Sequence, residues 1–330
     1  MASEFEVATN VGEADQTAFP EDVVLTENPI PVKETQRKKG NKEEIAGTLL
    51  ASIPLVGFVI FGMIPLLMAL AMAFLYMPRF GFEGAEFNGF KNFVTVLTDD
   101  MFWQSVWNTV LLGLSTFISL ALALVVAYFL SKDIKGRKAF RMIYFIPYVC
   151  SVVAITLMWG YMFNTNWGII NHLLGRTGEN AIDWMGEAGP YRLAVIIMSV
   201  WSGMGYGIIL FTAALTNVNK EMIEAAEIDG ANAWVRFWRI VFPSISPTTF
   251  YLLVMGVIGM LQSFAVTNVL NGGNSPDGVG ITIVYYLYNR IFNYIGAMGE
   301  ASASAWILGI IILGLTVFQF WGSKKWVNYD

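Results

Sequence analysis

Glu224-Ala225-Ala226, followed after three residues by Gly230, after nine more by Ile240 and then by Pro243, is the stretch whose residue types and spacing are chemically specific. The segment, which includes Glu224 and Asp229, is a polar, evenly charged island in an otherwise oily chain, and no metal-ligand or nucleophile set accompanies it. Locally, Glu221 to Ile228 favours helix, and Gly230 supplies a left-handed turn at low steric cost. Ala231 to Val241 can form a second helix that must stop before Pro243. The segment, about residues 217–243, is thus a polar helix-turn-helix between two long apolar runs, and its plainer reading is an amphipathic connector resting on a membrane surface.

An oily chain positions this segment. Of 330 residues, 55% are hydrophobic and 14% charged, whereas soluble domains carry about 25% charged residues. The mean hydropathy is +0.55. A hydrocarbon crossing needs about 20 apolar residues, and a charge at its centre costs at least roughly 2.5–3.5 kcal/mol. Asp, Glu, Lys and Arg are missing from residues 45–78, 101–131, 142–175, 193–219, 240–276 and 301–323. These windows predict six spans with cores near 47–76, 105–131, 142–163, 192–216, 244–269 and 303–323, all helical because backbone cannot go unpaired in lipid. The fold class expected is an all-α membrane protein with a cytoplasmic helix-turn-helix between spans 4 and 5.

Lys and Arg in short loops set the orientation. Lys33, Arg37, Lys38, Lys39 and Lys42 precede the first span, Lys132, Lys135, Arg137, Lys138 and Arg141 separate the second from the third, and Lys324 and Lys325 follow the last. Both termini and the Glu224 segment therefore face the cytoplasm, in a multi-pass protein of the cell membrane. Residues 278–299, apolar and aromatic around Arg290, could pass for a seventh span. A helix outside the bilayer or partly re-entrant is preferred, because a crossing would leave Arg290 at mid-membrane and put Lys324 and Lys325 outside. Residues 1–44 are polar, acidic near the start and without apolar periodicity, and read as a disordered cytoplasmic tail ahead of a transmembrane domain over 45–330.

The E-A-A-x3-G-x9-I-x-L-P spacing, with Phe242 in place of Leu, resembles the membrane subunits of binding-protein-dependent ABC importers. Gly272-Gly273 resembles the T-x-G-G-P segment of maltose- and lactose-type sugar permeases, with Asn274 where Pro is usual. The ending, Val317-Phe318-Gln319 through Trp326-Val327-Asn328-Tyr329, looks like the same type. The resemblance implies that Glu224, Ala225, Ala226, Asp229, Gly230, Ile240 and Pro243 couple the chain to an ATPase. It also implies a second related permease, an ABC ATPase dimer and an extracellular or periplasmic solute-binding protein as partners, with membrane lipid around the spans and no nucleic acid. The cargo implied is a sugar or oligosaccharide.

The chain has no G-x-x-x-x-G-K-[ST] loop and no Gly-Lys dipeptide, so it is expected to bind no cofactor and to leave ATP and Mg to the partner ATPase. One Cys and one His make no conventional metal site, and Cys150 and His172 read as packing and surface residues. The spans carry no Asp, Glu or His of the kind proton-coupled carriers use, which weakens the alternative of an ion-coupled carrier or passive channel acting without an ATPase. In permeases of the resembled type the spans flanking the coupling loop touch the sugar. Here they offer Ser199, Gly203 and Tyr206 on one helical face, then Met260, Gln262 and Ser263. Gly203, Gly205 and Gly207 either let a sugar ring approach the backbone or let helices pack closely.

Overall fold

In a computed structural model of the chain, residues 41–78, 81–132, 134–271 and 274–328 are described. The chain divides into two compact units, residues 1–57 and 58–330. The described part of the first is helical and belongs to α1 (Asn41–Phe58), whose last residue falls in the second. The expected tail lies outside the described residues over 1–40, as does Gly272-Gly273.

Among the described residues of the second unit the regular structure is helical apart from the two-residue strands β1 (Leu75–Tyr76) and β2 (Glu86–Phe87), which pair antiparallel. A π turn (Val59–Met63) leads into α2 (Ile64–Ala73); α3 (Lys91–Leu97) and α4 (Asp100–Ser131) follow the strands. Then come α5 (Arg137–Val149), α6 (Val152–Met162), α7 (Ile169–Leu173) and α8 (Ala188–Thr216). The polar segment forms α9 (Lys220–Ile228), α10 (Ala233–Arg236), a second π turn (Phe237–Val241) and α11 (Phe242–Ser244). The chain ends through α12 (Ser246–Leu261), α13 (Ala265–Asn271), α14 (Ile283–Asn293) and α15 (Met298–Ser323).

Among the described residues four helical stretches are long and apolar enough to cross a membrane: Ile45–Ala73, Asp100–Ser131, Ala188–Thr216 and Met298–Ser323. The count rises to six if each of two bent pairs is one span: α5 with α6, bent by 98°, and Ala233–Ser244 with α12, bent by 68°. The expected span over 142–163 is therefore not a straight helix. Helix α5 runs through Pro147 to Val149, and Cys150 (ψ 152°) and Ser151 (ψ 128°) then leave the helical region, so the chain turns a corner. The span expected over 244–269 also breaks, at residues 262–264 between α12 and α13. The carbonyl freed at Ser263 accepts the Thr282 hydroxyl at 2.7 Å.

Proline does not end the second helix of the polar segment, contrary to the sequence expectation. In the π turn the Phe242 amide donates to the Phe237 carbonyl, five residues back. That shift places Pro243 in the first turn of α11, where no amide is required of it. Ser244 Oγ then takes up the Ile240 carbonyl at 2.7 Å. The same device precedes Pro65, where the Ile64 amide donates to Val59 before α2.

Helix α4 is the hub, packing on α8, α12 and α14, while α5 packs on α8. Glycines set the closest approaches. A Cβ at Gly207 would stand 2.9 Å from Ala123 Cβ, and one at Gly205 would stand 2.4 Å from the Tyr144 carbonyl oxygen. Gly203 and Gly207 thus face α4, and Gly205 admits the backbone of α5. The C-terminal segment braces the corner at Ile245: Trp326 stacks on Phe242 (6.5 Å, 18°) and meets Phe250 edge-on, and the Asn328 amide donates to Ser246 Oγ at 2.9 Å.

Candidate functional site

A cavity of about 430 Å³ lies between α4, α8 and α12. Of the residues proposed for a solute path, Ser199, Gly203, Tyr206, Met260 and Ser263 line it. Gln262 does not: as the C-cap of α12, where the helix breaks, it is exposed away from the cavity. Sequence reasoning missed the α4 wall, made of Thr109, Ser115, Thr116 and Ser119, together with Tyr148 from the end of α5 and Thr282. A signal for the α4 wall existed. Ser105, Asn108, Thr109, Ser115 and Ser119 recur at helical spacing, and all are buried.

Glycine makes the hollow possible, since Gly113, Gly203, Gly207, Gly256 and Gly259 all line it. Tyr148 and Tyr206 close one side, with Tyr251 behind them. The Tyr148 ring stacks on Tyr206 (5.1 Å, 18°), and the hydroxyls of Tyr206 and Tyr251 lie 3.2 Å apart. Among the described residues no Asp, Glu, Lys, Arg or His lines the cavity. Its chemistry is hydroxyl donors and acceptors beside flat aromatic and thioether surface, a wall for a solute rich in hydroxyls and free of charge.

The polar segment forms a knob. Asn219 caps α9 by accepting from the Glu221 amide at 2.9 Å, and the helix ends at Asp229 with Gly230 at φ +80°. The Ala231 amide closes the turn onto the Ala226 carbonyl at 2.9 Å. Asn232 caps α10 through the Val235 amide, and Arg236 reaches back to Glu227 at 2.5 Å, tying the two helices. Glu224, Ala225, Asp229 and Gly230 are exposed, Ala226, Ile240 and Pro243 are half-buried, and Glu224 has no hydrogen bond or ion pair among the described residues. Ile228, at 88% exposure, and Trp234, at 70%, stand beside it as uncovered apolar surface.

A second polar cluster sits at the opposite end of α4. Arg290 of α14 pairs with Asp99, the N-cap residue of α4, and with Glu300 of α15 at 3.1 Å. Tyr286 donates to Asp99 at 2.7 Å, and the guanidinium lies over the Tyr286 and Tyr294 rings at 5.1 and 5.0 Å. This answers the question that Arg290 raised in the sequence: α14 has 11 residues, too few to cross, and its cation is neutralised by two carboxylates. The turn before it is held to α4 by Asn108, which donates to the Gly278 and Ile281 carbonyls at 2.8 and 3.1 Å.

Burial pushes the Asp99 carboxyl up, but the hydrogen bonds from Tyr286 and the Met101 amide, with the Arg290 charge, outweigh it and hold the group below its ordinary value. A depressed carboxyl stabilises the fold above its unfolded pKa of about 3.9 and loses that contribution as pH falls through the folded value. The expected result is a melting temperature that drops as pH falls below about 4. In Asp99→Asn the midpoint at pH 7 should fall by about 5 °C and the acid-side slope should flatten, because Arg290 loses a partner. Differential scanning fluorimetry in detergent across pH 3–8 reads both.

The family described as binding-protein-dependent transport system inner membrane component matches residues 119–323. The sn-glycerol-3-phosphate transport system permease protein UgpA of Agrobacterium fabrum is 32% identical over 285 residues, covering 85% of this chain and 95% of that protein. The probable ABC transporter permease protein YesP of Bacillus subtilis is 33% identical over 297 residues, covering 88% and 94%. Among solved structures, a bacterial ABC transporter involved in import of the acidic polysaccharide alginate superposes with a TM-score of 0.74 at 25% identity, covering 87% of this chain and 97% of that one.

Proposed function

Since the chain belongs to the family of binding-protein-dependent transport system inner membrane components, we propose that it is the permease subunit through which an ATP-driven importer passes a neutral sugar or oligosaccharide. The observation that carries the cargo is the cavity, walled by Ser, Thr, Tyr and Gly among apolar Leu, Met and Val, with no Asp, Glu, Lys, Arg or His among the described residues. UgpA and the alginate importer are named for anionic cargo. An anion in this cavity would find no charge from this chain to meet it, and an unpaired charge in a low-dielectric hollow is costly.

The partners follow from the same reading: a second related permease completing the pathway, an ATPase dimer that binds ATP and Mg, and a binding protein delivering solute from outside. Both termini and the knob lie on the cytoplasmic side, in keeping with the Lys and Arg bias. Glu224 and Gly230 belong to the joint with the ATPase. Switching between inward-open and outward-open states from 1:99 to 99:1 takes about 5.5 kcal/mol, which ATP-driven closure of the partner supplies.

The test is reconstitution with and without the ATPase and the binding protein, measuring uptake and ligand-stimulated ATPase activity over neutral oligosaccharides, alginate oligomers and glycerol phosphate. Neutral sugars should stimulate and the anions should not. Tyr206→Ala, which removes a stacking face and a hydroxyl, should raise the half-saturating sugar concentration about tenfold with assembly intact. Uptake without ATPase, or preference for an anion, would overturn the reading.

A further inference from the structure

A second large cavity, about 530 Å³, lies between the knob and the ends of α4 and α8, and the solute path makes no use of it. Lys132, Arg137, Lys220 and Arg236 line it, against one carboxylate, Glu227, among the described residues. Glu227 is bound to Arg236 at 2.5 Å, and the Lys132 ammonium rests over the Tyr128 ring at 4.7 Å. Among the described residues Lys132 and Lys220 make no ion pair, and the lining cations outnumber the one lining carboxylate.

The cavity has a depth as well as a charge. Ser131 and Thr216 are the last residues of two candidate spans, and both line it. Its remaining wall is apolar, including Leu215, Phe237 and Val241. Cations over an apolar floor, at the level where helices leave the bilayer, match an amphiphile with an anionic head. The face of α9 turned to this cavity carries Ile223 and Glu227, whereas Glu224 and Ile228 are exposed, so an occupant leaves the docking surface clear.

We propose that this cavity binds a phosphate group, supplied by the head of an anionic phospholipid lodged between the knob and the ends of α4 and α8. Lys132 and Lys220 hold the phosphate as point charges, the apolar wall takes the glycerol region, and the occupied cavity fixes the knob against the bundle. The proposal rests on the membrane location alone and holds whatever the cargo is.

The assembled transporter, released from phosphatidylcholine nanodiscs containing a minor fraction of phosphatidylglycerol, is to be weighed by native mass spectrometry. Wild type should retain phosphatidylglycerol, and Lys132→Gln/Lys220→Gln should weaken retention roughly 30-fold, while Lys132→Arg/Lys220→Arg keeps it. Lys324→Gln/Lys325→Gln, outside the cavity, should keep it too. A parallel arm uses phosphatidylcholine alone with inorganic phosphate: a phosphate adduct lost in the Gln pair would support the site with a soluble occupant. Should the Gln pair fail to assemble, photoactivatable phosphatidylglycerol on wild type should crosslink to cavity residues. Equal retention by wild type and the Gln pair, with no phosphate adduct, or crosslinks only elsewhere, overturns the proposal.

Discussion

Glu224→Lys should reduce uptake by more than about 100-fold while the protein reaches the membrane in normal amount. The side chain is exposed and has no partner within the described residues, so the fold loses nothing when it changes. What changes is the joint. A cation placed against a surface complementary to a carboxylate costs several kcal/mol, and each 1.4 kcal/mol is tenfold. ATPase activity should also stop responding to solute. Gly230→Val should act in the same direction by another route: no atom lies within 4 Å of the new Cβ, but φ at +80° is a conformation a β-branched residue resists, so the turn between α9 and α10 opens. Transport and solute-stimulated ATPase in proteoliposomes read both variants, and unchanged uptake in the pair would remove the knob from the coupling path.

Gly205→Val should be more drastic for the fold itself. Its Cβ would sit 2.4 Å from the Tyr144 carbonyl oxygen and 3.3 Å from Phe145 Cα, and backbone cannot swing aside as a side chain can. Helices α5 and α8 would have to separate, at a cost of about 2–3 kcal/mol or more. The yield of monodisperse protein by size-exclusion chromatography should fall by more than about tenfold. Gly309→Ala, where nothing lies within 4 Å, should leave it unchanged. A Gly205→Val protein of normal yield would show that α5 is not tightly seated on α8.

Charge-free windows located the apolar segments because the cost of a central charge is large and local. They were blind to direction. Nothing in a hydropathy count separates Cys150 and Ser151, two residues that leave the helical region, from the helical residues either side, so the 98° corner was invisible. Pro243 misled in the other sense: a proline ends a regular α-helix, but a π turn shifts the hydrogen-bond register and admits it. The α4 wall of the cavity was overlooked because Ser and Thr count as harmless in such a window. Read by spacing instead, Ser105, Asn108, Thr109, Ser115 and Ser119 mark a polar stripe that must face protein. Gln262 looked chemically suited to a sugar, but it is the C-cap of α12, at the start of a break whose Ser263 carbonyl is held by Thr282, nearly twenty residues away.

The braced corner at Ile245 makes a bell crank. Its short arm, Ala233–Ser244, is about 18 Å long and its other arm, α12, about 24 Å, at 1.5 Å per residue. Trp326 packs on Phe242 before the corner and on Phe250 after it, tying the two arms together, and the far end of α12 carries Met260 into the hollow. The edge of the knob and the cavity wall are thereby two ends of one lever.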